Sequence, residues 1–263
     1  MGLWEVRFKV SNESNIKLKS IKKTIDVLNC FVDKQPLGVT EISEKLGLYK
    51  SNVHNILSTL TAMDYLDQDK DTGKYYIGIG IVRLAHAMAS RYTFHKVASV
   101  HLQQISDQAG ETVYLTVAMK RMVYYLDAAI PSASNYLLSG TLRYSTEPLH
   151  CTGSGKAMLA FMSPEDREEY LSQPLVAMTP NTITDLERFR EELRLTRERG
   201  YALDNMESEI GTRCVAVPIK NANGLPVGAM SISGPAYRFA DEEKTSQHVA
   251  LLKRHVRQIE YSI

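Results

Sequence analysis

Residues 39–62 hold the pattern that most restricts the fold of this chain: two short amphipathic helices separated by a turn at Gly47. Ile42 and Leu46 give the first helix an apolar face, and Thr40 is expected to cap its N-terminus. The second helix, in YKSNVHNILSTLTAM, repeats apolar residues every three or four positions. Two short helices joined by a tight glycine turn are typical of a helix-turn-helix.

A helix before this pair and a hairpin after it complete the pattern. The earlier helix is predicted from four apolar residues that fall on one face, Ile21, Ile25, Leu28 and Val32. Downstream, Asp71-Thr72-Gly73 separates two short apolar runs and predicts a hairpin. Three helices followed by a hairpin predict a winged helix-turn-helix domain over residues 20–79, preceded by an arm over residues 1–19.

The outward face of the second helix carries hydrogen-bonding side chains near its N-terminus, where a recognition helix meets base edges. With the predicted cap and two hairpin lysines, the candidate DNA contacts are Thr40, Tyr49, Lys50, Ser51, Asn52, His54, Asn55, Lys70 and Lys74. For any one of these helices alone, the simpler interpretation is that its polar face is only exposed to solvent and does not bind DNA. The ordered combination favours double-stranded DNA, although four hairpin-region carboxylates (Asp64, Asp67, Asp69 and Asp71) count against it, because they repel phosphates.

The pattern changes after a helical stretch at residues 80–93, which is predicted to link two domains. In residues 94–263, strand-like runs occur in two groups with helices between and around them. The predicted strands lie near 111–119, 121–130, 201–206, 213–220 and 226–233, and the helices near 95–108, 153–161, 164–171, 184–199 and 240–260. This order predicts an α+β domain with a mainly antiparallel sheet.

The segment HCTGSGKAML, residues 150–159, resembles a phosphate-binding loop at first sight. A Walker loop would need Gly where His150 stands and a hydroxyl residue where Ala157 stands, so the segment does not predict nucleotide binding. A glycine-rich helix start still presents free N–H groups to an anion, and a carboxylate would suit it. The alternative is that the glycines only allow close packing.

Composition narrows the classes of protein to which the chain can belong. With 44% hydrophobic and 23% charged residues, the chain resembles an ordinary globular protein, and no apolar run is long enough for a membrane span. Three separated cysteines (Cys30, Cys151 and Cys214) predict neither a disulfide framework nor a metal site, and they fit the cytoplasm. No cofactor and no catalytic group is predicted, although His150 beside Cys151 leaves a cysteine-dependent enzyme as a remote alternative.

Two further segments, RGYALDNMESEIGTRCVAVPI and VGAMSISGP, together with the glycine loop, resemble the effector domain of IclR-family bacterial transcription regulators. VTEISEKLGLYKSNVHNILSTL resembles the helix-turn-helix of the same family, and the resemblance covers about residues 20–260. It implies a GAF/profilin-like effector domain in a cytoplasmic repressor or activator. It also implies a homodimer or dimer of dimers that binds palindromic operators and responds to a small organic acid.

The family's effector contacts carry over onto Gly153, Ser154, Asp204, Cys214, Ser231 and Ser233. In this hypothesis, loop N–H groups and serine hydroxyls hold a carboxylate, while Asp204 accepts a hydrogen bond from an effector hydroxyl. The chain departs from the family at Tyr49, Asn52 and Asn55, so the operator preference does not carry over. A regulator whose C-terminal domain only forms oligomers remains open.

Overall fold

The structure, a computed structural model, describes residues 16–89, 93–132, 146–239 and 241–263. The chain divides into two compact units, residues 1–91 and 92–263. Most of the predicted N-terminal arm (residues 1–15) and the end of the predicted linker (residues 90–92) lie outside the described residues.

The N-terminal unit is a winged helix-turn-helix followed by one further helix. Its elements are α1 (Lys19–Asp33), α2 (Val39–Leu46), α3 (Lys50–Ala62), β1 (Leu66–Gln68), β2 (Tyr75–Ile77) and α4 (Gly80–Ala89). The two strands pair antiparallel around a turn in which Gly73 has a φ of 67°. Gly47 ends α2 in the left-handed conformation, which glycine adopts without a steric penalty. The fully buried Phe31, Ile42 and Leu57 join all three helices in one core.

Two details of this unit differ from the sequence prediction. Thr40 is not the cap of α2: the helix begins at Val39, and Gly38 occupies the cap position, where its N–H donates to Glu41 Oε2 at 2.9 Å. In α1, the core face is formed by Val27, Cys30 and Phe31. The predicted apolar stripe is largely exposed, with 57% of Ile21, 49% of Ile25 and 62% of Val32 accessible to solvent.

The C-terminal unit is an α+β domain built on one six-stranded sheet in which every neighbouring pair is antiparallel. The strand order is β5-β4-β3-β8-β7-β6. The strands are β3 (Thr112–Met119), β4 (Met122–Ala129), β5 (Thr146–Pro148), β6 (Ala202–Asn205), β7 (Thr212–Lys220) and β8 (Pro226–Pro235). The helices are α5 (Thr93–Ala109), α6 (Gly153–Phe161), α7 (Pro164–Leu171), α8 (Leu186–Arg199) and α9 (Glu242–Glu260).

Helices cover both faces of the sheet. Because successive residues of a strand point to opposite faces, the residues of one strand belong to two separate cores. On β8, Met230 and Ile232 pack with α5 and α9. Ala229, from the opposite face of β8, packs with α6, α7 and α8. The short strand β5, which the sequence analysis missed, lies at one edge, where Pro148 costs no central hydrogen bond. Among the described residues, no helix is long and apolar enough to cross a membrane.

Candidate effector site and candidate nucleic-acid interface

In the N-terminal unit, the turn between α2 and α3 is fixed by hydrogen bonds. Ser43 Oγ donates to the Leu48 carbonyl at 2.6 Å, and the Leu48 N–H donates to the Ser43 carbonyl at 3.1 Å. Helix α3 then starts after Tyr49 and buries Val53 and Leu57. The two hydrogen bonds therefore set how the polar side of α3 is presented.

All the polar candidates on and before α3 are exposed, and so are Thr40 and Lys70. Among the described residues of this unit, Tyr49 is the most exposed large apolar side chain, with 82% of its surface accessible. The exposed polar set at the start of α3 is Lys50, Ser51, Asn52, His54 and Asn55. These side chains have the hydrogen-bonding groups that base edges require, and no packing role competes for them.

The hairpin is tied to the helices through Glu41. Its carboxylate lies 3.1 Å from Lys74 Nζ on the hairpin and 3.1 Å from Lys34 Nζ after α1. The Gly38 N–H and these two lysines lower the pKa of Glu41 to about 2. Lys74, a predicted phosphate contact, is therefore already in an ion pair, whereas Lys70 is exposed.

One of the unfavourable carboxylates has a structural role. Asp69 Oδ1 accepts hydrogen bonds from the Asp71 and Thr72 N–H groups at 2.8 and 2.9 Å. These bonds lower the pKa of Asp69 and form the turn of the hairpin.

In the C-terminal unit, the strand register brings together most of the predicted effector contacts. Asp204 pairs with Cys214, Cys214 with Ser233, and Ser233 with Thr112, so one row of residues crosses four strands. Ser231 lies in the neighbouring row, opposite Ala216 and Tyr114. Ser231 and Ser233 share one face of β8 because strand side chains alternate, and this face packs against the N-terminus of α6.

The glycine loop approaches this row closely. A Cβ at Gly153 would lie 2.9 Å from Cys214 Sγ, and one at Gly155 would lie 2.1 Å from the Leu149 carbonyl oxygen. Thr152 caps α6 by accepting the Gly155 N–H at 3.0 Å. Ser154 is buried in the first turn. Gly155 is thus required sterically, whereas a side chain at Gly153 would require Cys214 to move. The helix start lies on the row of strand residues.

Asp204 is more constrained than the sequence analysis expected. Its carboxylate accepts the Ser208 hydroxyl at 2.6 Å and the Glu207 N–H at 2.7 Å, which fixes the connection between β6 and β7. Burial raises the pKa of Asp204 despite these bonds. Since a carboxylate offers about four acceptor positions, a hydroxyl donor is still compatible with it.

Sequence reasoning missed three side chains that lie near these residues, namely Tyr114, Tyr125 and Glu147. The rings of Tyr114 and Tyr125 meet edge to face, with centroids 5.1 Å apart. The pKa of Tyr125 is raised well above its usual value by burial and then by Glu147, Cys214 and Asp204, so each of these three groups lies within electrostatic reach of the Tyr125 hydroxyl. A tyrosine inside a predicted strand could have indicated a polar site, because its hydroxyl requires a hydrogen-bond partner when it is buried.

Lys156, the lysine of the glycine loop, is not available to a phosphate. Its side chain is 1% exposed, and Nζ lies 2.5 Å from Glu207 Oε1 and 3.7 Å from Glu192 Oε1. The second carboxylate oxygen of Glu207 is buried and has no hydrogen-bond partner among the described residues. Lys156 therefore joins α6 to the β6–β7 connection.

The arrangement around the cysteines does not support thiol catalysis. The His150 ring bonds to the Tyr170 hydroxyl and the Val176 carbonyl, each at 2.8 Å, and not to Cys151. Burial raises the pKa of Cys151, and it raises the pKa of Cys214 to about 12. The neighbouring Arg213 donates to the Phe239 carbonyl instead of lowering the pKa of Cys214. Both cysteines are thiols at neutral pH and poor nucleophiles. Among the described residues, no cluster of three or more metal-ligating side chains occurs.

Two family profiles match the chain. The profile of the IclR helix-turn-helix domain covers residues 20–70, and that of the bacterial transcriptional regulator IclR C-terminal domain covers residues 86–261. Among curated proteins, XynR of Escherichia coli (strain K12) is 31% identical over 86% of this chain and 90% of its own length. KdgR of Dickeya chrysanthemi is 29% identical over 92% of this chain and 79% of its own length. Both are named HTH-type transcriptional regulators.

Solved structures agree with these matches. The crystal structure of the Thermotoga maritima IclR has a TM-score of 0.79 and 33% identity, and the match covers 92% of this chain and 98% of that one. An IclR homologue from Microbacterium hydrocarbonoxydans, solved in complex with 4-hydroxybenzoate, has a TM-score of 0.77 and 27% identity. That match also covers 92% of this chain and 98% of the other.

Proposed function

This chain belongs to the IclR family of bacterial transcriptional regulators, which are not enzymes, and on that premise we propose how its two units work. The N-terminal unit reads a palindromic operator through α3. The C-terminal unit binds a small organic acid at the row formed by Asp204, Cys214 and Ser233, and the bound acid alters operator affinity. The cytoplasm is the compartment in which such a regulator would act.

The proposal for DNA rests on the exposed polar start of α3. Asn52 and Asn55 present amides that suit adenine, and Lys50 suits guanine. Thr40, Tyr49, Ser51 and His54 are also exposed and extend the proposed surface, and the exposed Lys70 is the proposed phosphate contact on the hairpin. The Glu41–Lys74 ion pair supports a smaller role for Lys74.

The proposal for the effector rests on the close approach of Gly153 to Cys214. This approach places the start of α6 against the row formed by Asp204, Cys214 and Ser233. The donors are the N–H groups of Gly153 and Ser154 and the hydroxyls of Ser231 and Ser233. The Ser233 hydroxyl donates to the Arg213 carbonyl at 3.4 Å, and it would exchange this long hydrogen bond for one to the effector. Asp204 supplies the acceptor. A hydroxy acid matches both sets of groups, and the homologue solved with 4-hydroxybenzoate supports an organic acid as the class.

Exposed apolar side chains in the N-terminal unit support a homodimer. Ile21, Ile25 and Val32 on α1 are about half to two-thirds exposed, and Val82 and Leu84 on α4 are 57% and 56% exposed. Large apolar side chains that a single chain leaves exposed are suited to cover by a partner chain. A symmetric dimer, or a dimer of dimers, fits a palindromic site because the two recognition helices then meet equivalent half-sites. We further propose that α4 transmits the effector signal by changing how two chains pair.

Fluorescence anisotropy tests the DNA half of the proposal. The probe is DNA from upstream of the protein's own gene, and unrelated competitor DNA is present at several salt concentrations. Tight binding that resists the competitor and falls steeply with salt is expected, and Asn52→Ala/Asn55→Ala should weaken it at least tenfold. Asn223→Ala, in the turn between β7 and β8, is the matched control. Equal binding by the double variant would remove α3 as the reader.

Calorimetry with small hydroxy acids tests the effector half. Ser231→Ala/Ser233→Ala should abolish the binding that alters operator affinity, whereas Ser172→Ala/Ser262→Ala, which changes two exposed serines, should preserve it. A bound acid should also change operator affinity. The second candidate, a C-terminal domain that only forms oligomers, predicts that no added acid changes operator affinity.

A further inference from the structure

A cleft of about 220 Å³ opens in the C-terminal unit, where four elements meet away from the strand row described above. It lies between the end of α6, the end of α8, the end of β7 and the last turns of α9. Its apolar lining includes Phe161, Val217 and Val256. The cleft is smaller than the roughly 300–1,000 Å³ typical of drug-sized ligands, so it would admit only a compact molecule.

The charged lining of the cleft is predominantly positive. Lys220, Lys253 and Arg257 face a single carboxylate, Glu260. Glu260 Oε1 accepts the Lys220 N–H at 2.7 Å, so this carboxylate is bonded to the backbone. Within the part of the chain that the structure describes, none of the three cations forms an ion pair. The cluster therefore has an excess of positive charge in a partly enclosed place.

Lys253 is held in this position and is not a freely moving surface lysine. Its Nζ donates to the Arg199 carbonyl at 2.7 Å and lies 5.4 Å from the centre of the Tyr201 ring. Burial, together with repulsion from Arg257 and Lys220, lowers the pKa of Lys253. An anion in the cleft would relieve this repulsion. Lys220 Nζ lies 5.0 Å from the centre of the Phe161 ring, which places a second cation beside the apolar wall.

We propose that this cleft is a second ligand site, which binds a small organic anion with a carboxylate head and a compact apolar body. The head lies among Lys220, Lys253 and Arg257, and the body lies against Phe161, Val217 and Val256. The site is separate from the proposed effector site, so one chain has two places for small acids.

Site-resolved lysine acetylation tests the proposal on the full-length protein. N-hydroxysuccinimide acetate modifies exposed amines, and mass spectrometry follows each lysine. Sodium benzoate is the probe, benzyl alcohol is its uncharged counterpart, and sodium chloride matches the ionic strength. Benzoate should slow acetylation of Lys253 and Lys220 at least threefold. It should not affect Lys244, which is on the same helix as Lys253. The alcohol and the chloride should protect neither cleft lysine.

Two variants separate this site from the effector site. Arg257→Gln changes an exposed residue and should raise the benzoate concentration for half-protection at least fivefold. Ser231→Ala/Ser233→Ala should leave protection unchanged, whatever it does to effector binding. Equal slowing of Lys244, protection by chloride or benzyl alcohol, insensitivity to Arg257→Gln, or loss of protection in the serine variant would each overturn the second site.

Discussion

The Nδ1 atoms of His101 on α5 and His255 on α9 lie 2.9 Å apart, so one imidazole donates a hydrogen bond to the other across two helices. Only one proton fits between the two nitrogens. His255 Nε2 is buried and has no partner among the described residues, so a second proton there would gain no hydrogen bond. The pKa of His101 is lowered by burial, and that of His255 by burial and then by His101 and Arg254.

This pair predicts that the free energy of unfolding decreases as the pH falls. Because both folded pKa values lie below the ordinary value of 6.5, the stabilisation is present above pH 6.5 and is lost as pH falls below it. Each proton taken up on unfolding contributes about 1.4 kcal/mol per pH unit. His101→Gln/His255→Gln should therefore flatten the dependence of the unfolding free energy on pH between 7.5 and 5.5.

Urea unfolding, with amide exchange in α9 as the detection method, measures this dependence of the unfolding free energy on pH. Buried His150 and His248 also have lowered pKa values, so the difference between wild type and variant isolates the pair. His54→Gln, on the exposed side of α3, is the control. An unchanged slope in the double variant would contradict the prediction.

Lys156→Met should destabilise the C-terminal unit by about 3–5 kcal/mol, because it leaves the buried carboxylate of Glu207 without its partner. Adding Glu207→Gln should recover part of the loss, since the uncompensated charge is then gone. Urea unfolding of the two single variants and the double variant gives the coupling energy. Lys96→Met, on the exposed side of α5, should have little effect. Additive losses would show that the two side chains do not interact.

The two glycines at the start of α6 should respond differently to alanine. A Cβ at Gly153 would be too close to the Cys214 sulfur, while Ala216 Cβ would lie 3.4 Å away, so Gly153→Ala should cost about 1–3 kcal/mol and Cys214→Ala should relieve much of this. Gly155→Ala meets the Leu149 backbone, so Cys214→Ala should not rescue it. Thermal unfolding midpoints of the single and double variants provide the measurement. Equal rescue at both positions would refute the steric assignment.

Lys70→Gln should reduce the salt dependence of DNA binding by about one unit of log–log slope, as expected for one lost phosphate contact. Lys74→Gln should change this slope less, because Lys74 is already paired with Glu41. Anisotropy titrations between low and physiological salt give both slopes. A larger effect at Lys74 than at Lys70 would mean that the ion pair opens on DNA.

Local signals predicted helix limits well where a cap has one strong candidate. Residues 153–161 and 164–171 are helical as predicted, and Ser163 caps the second of these helices ahead of Pro164. The start of α2 was misplaced because Thr40 is a good cap by type, whereas Gly38 and Glu41 provide the actual hydrogen bond. Competition between nearby caps is decided by geometry that the sequence does not contain.

The candidate site was only partly predictable for a different reason. Ser231 and Ser233 are candidates from the family resemblance, and the strand period places them on one face. Tyr125 and Glu147 reach the site through the pairing of β4 with β5. That pairing joins strands that are separated by a long connection, so nothing local predicts it. The exposed face of α1 was misassigned because apolar periodicity predicts a buried face without stating what covers it.

The row that runs from Asp204 through Cys214 and Ser233 to Thr112 takes one residue from each of four strands. The backbone ladder sets the spacing of these positions, and the side chains do not. A substitution at one position would therefore change the chemical preference of the proposed site while the spacing of its backbone positions stays fixed. Proteins that share this sheet but only a third of their residues could diverge in ligand choice one position at a time, without any new fold.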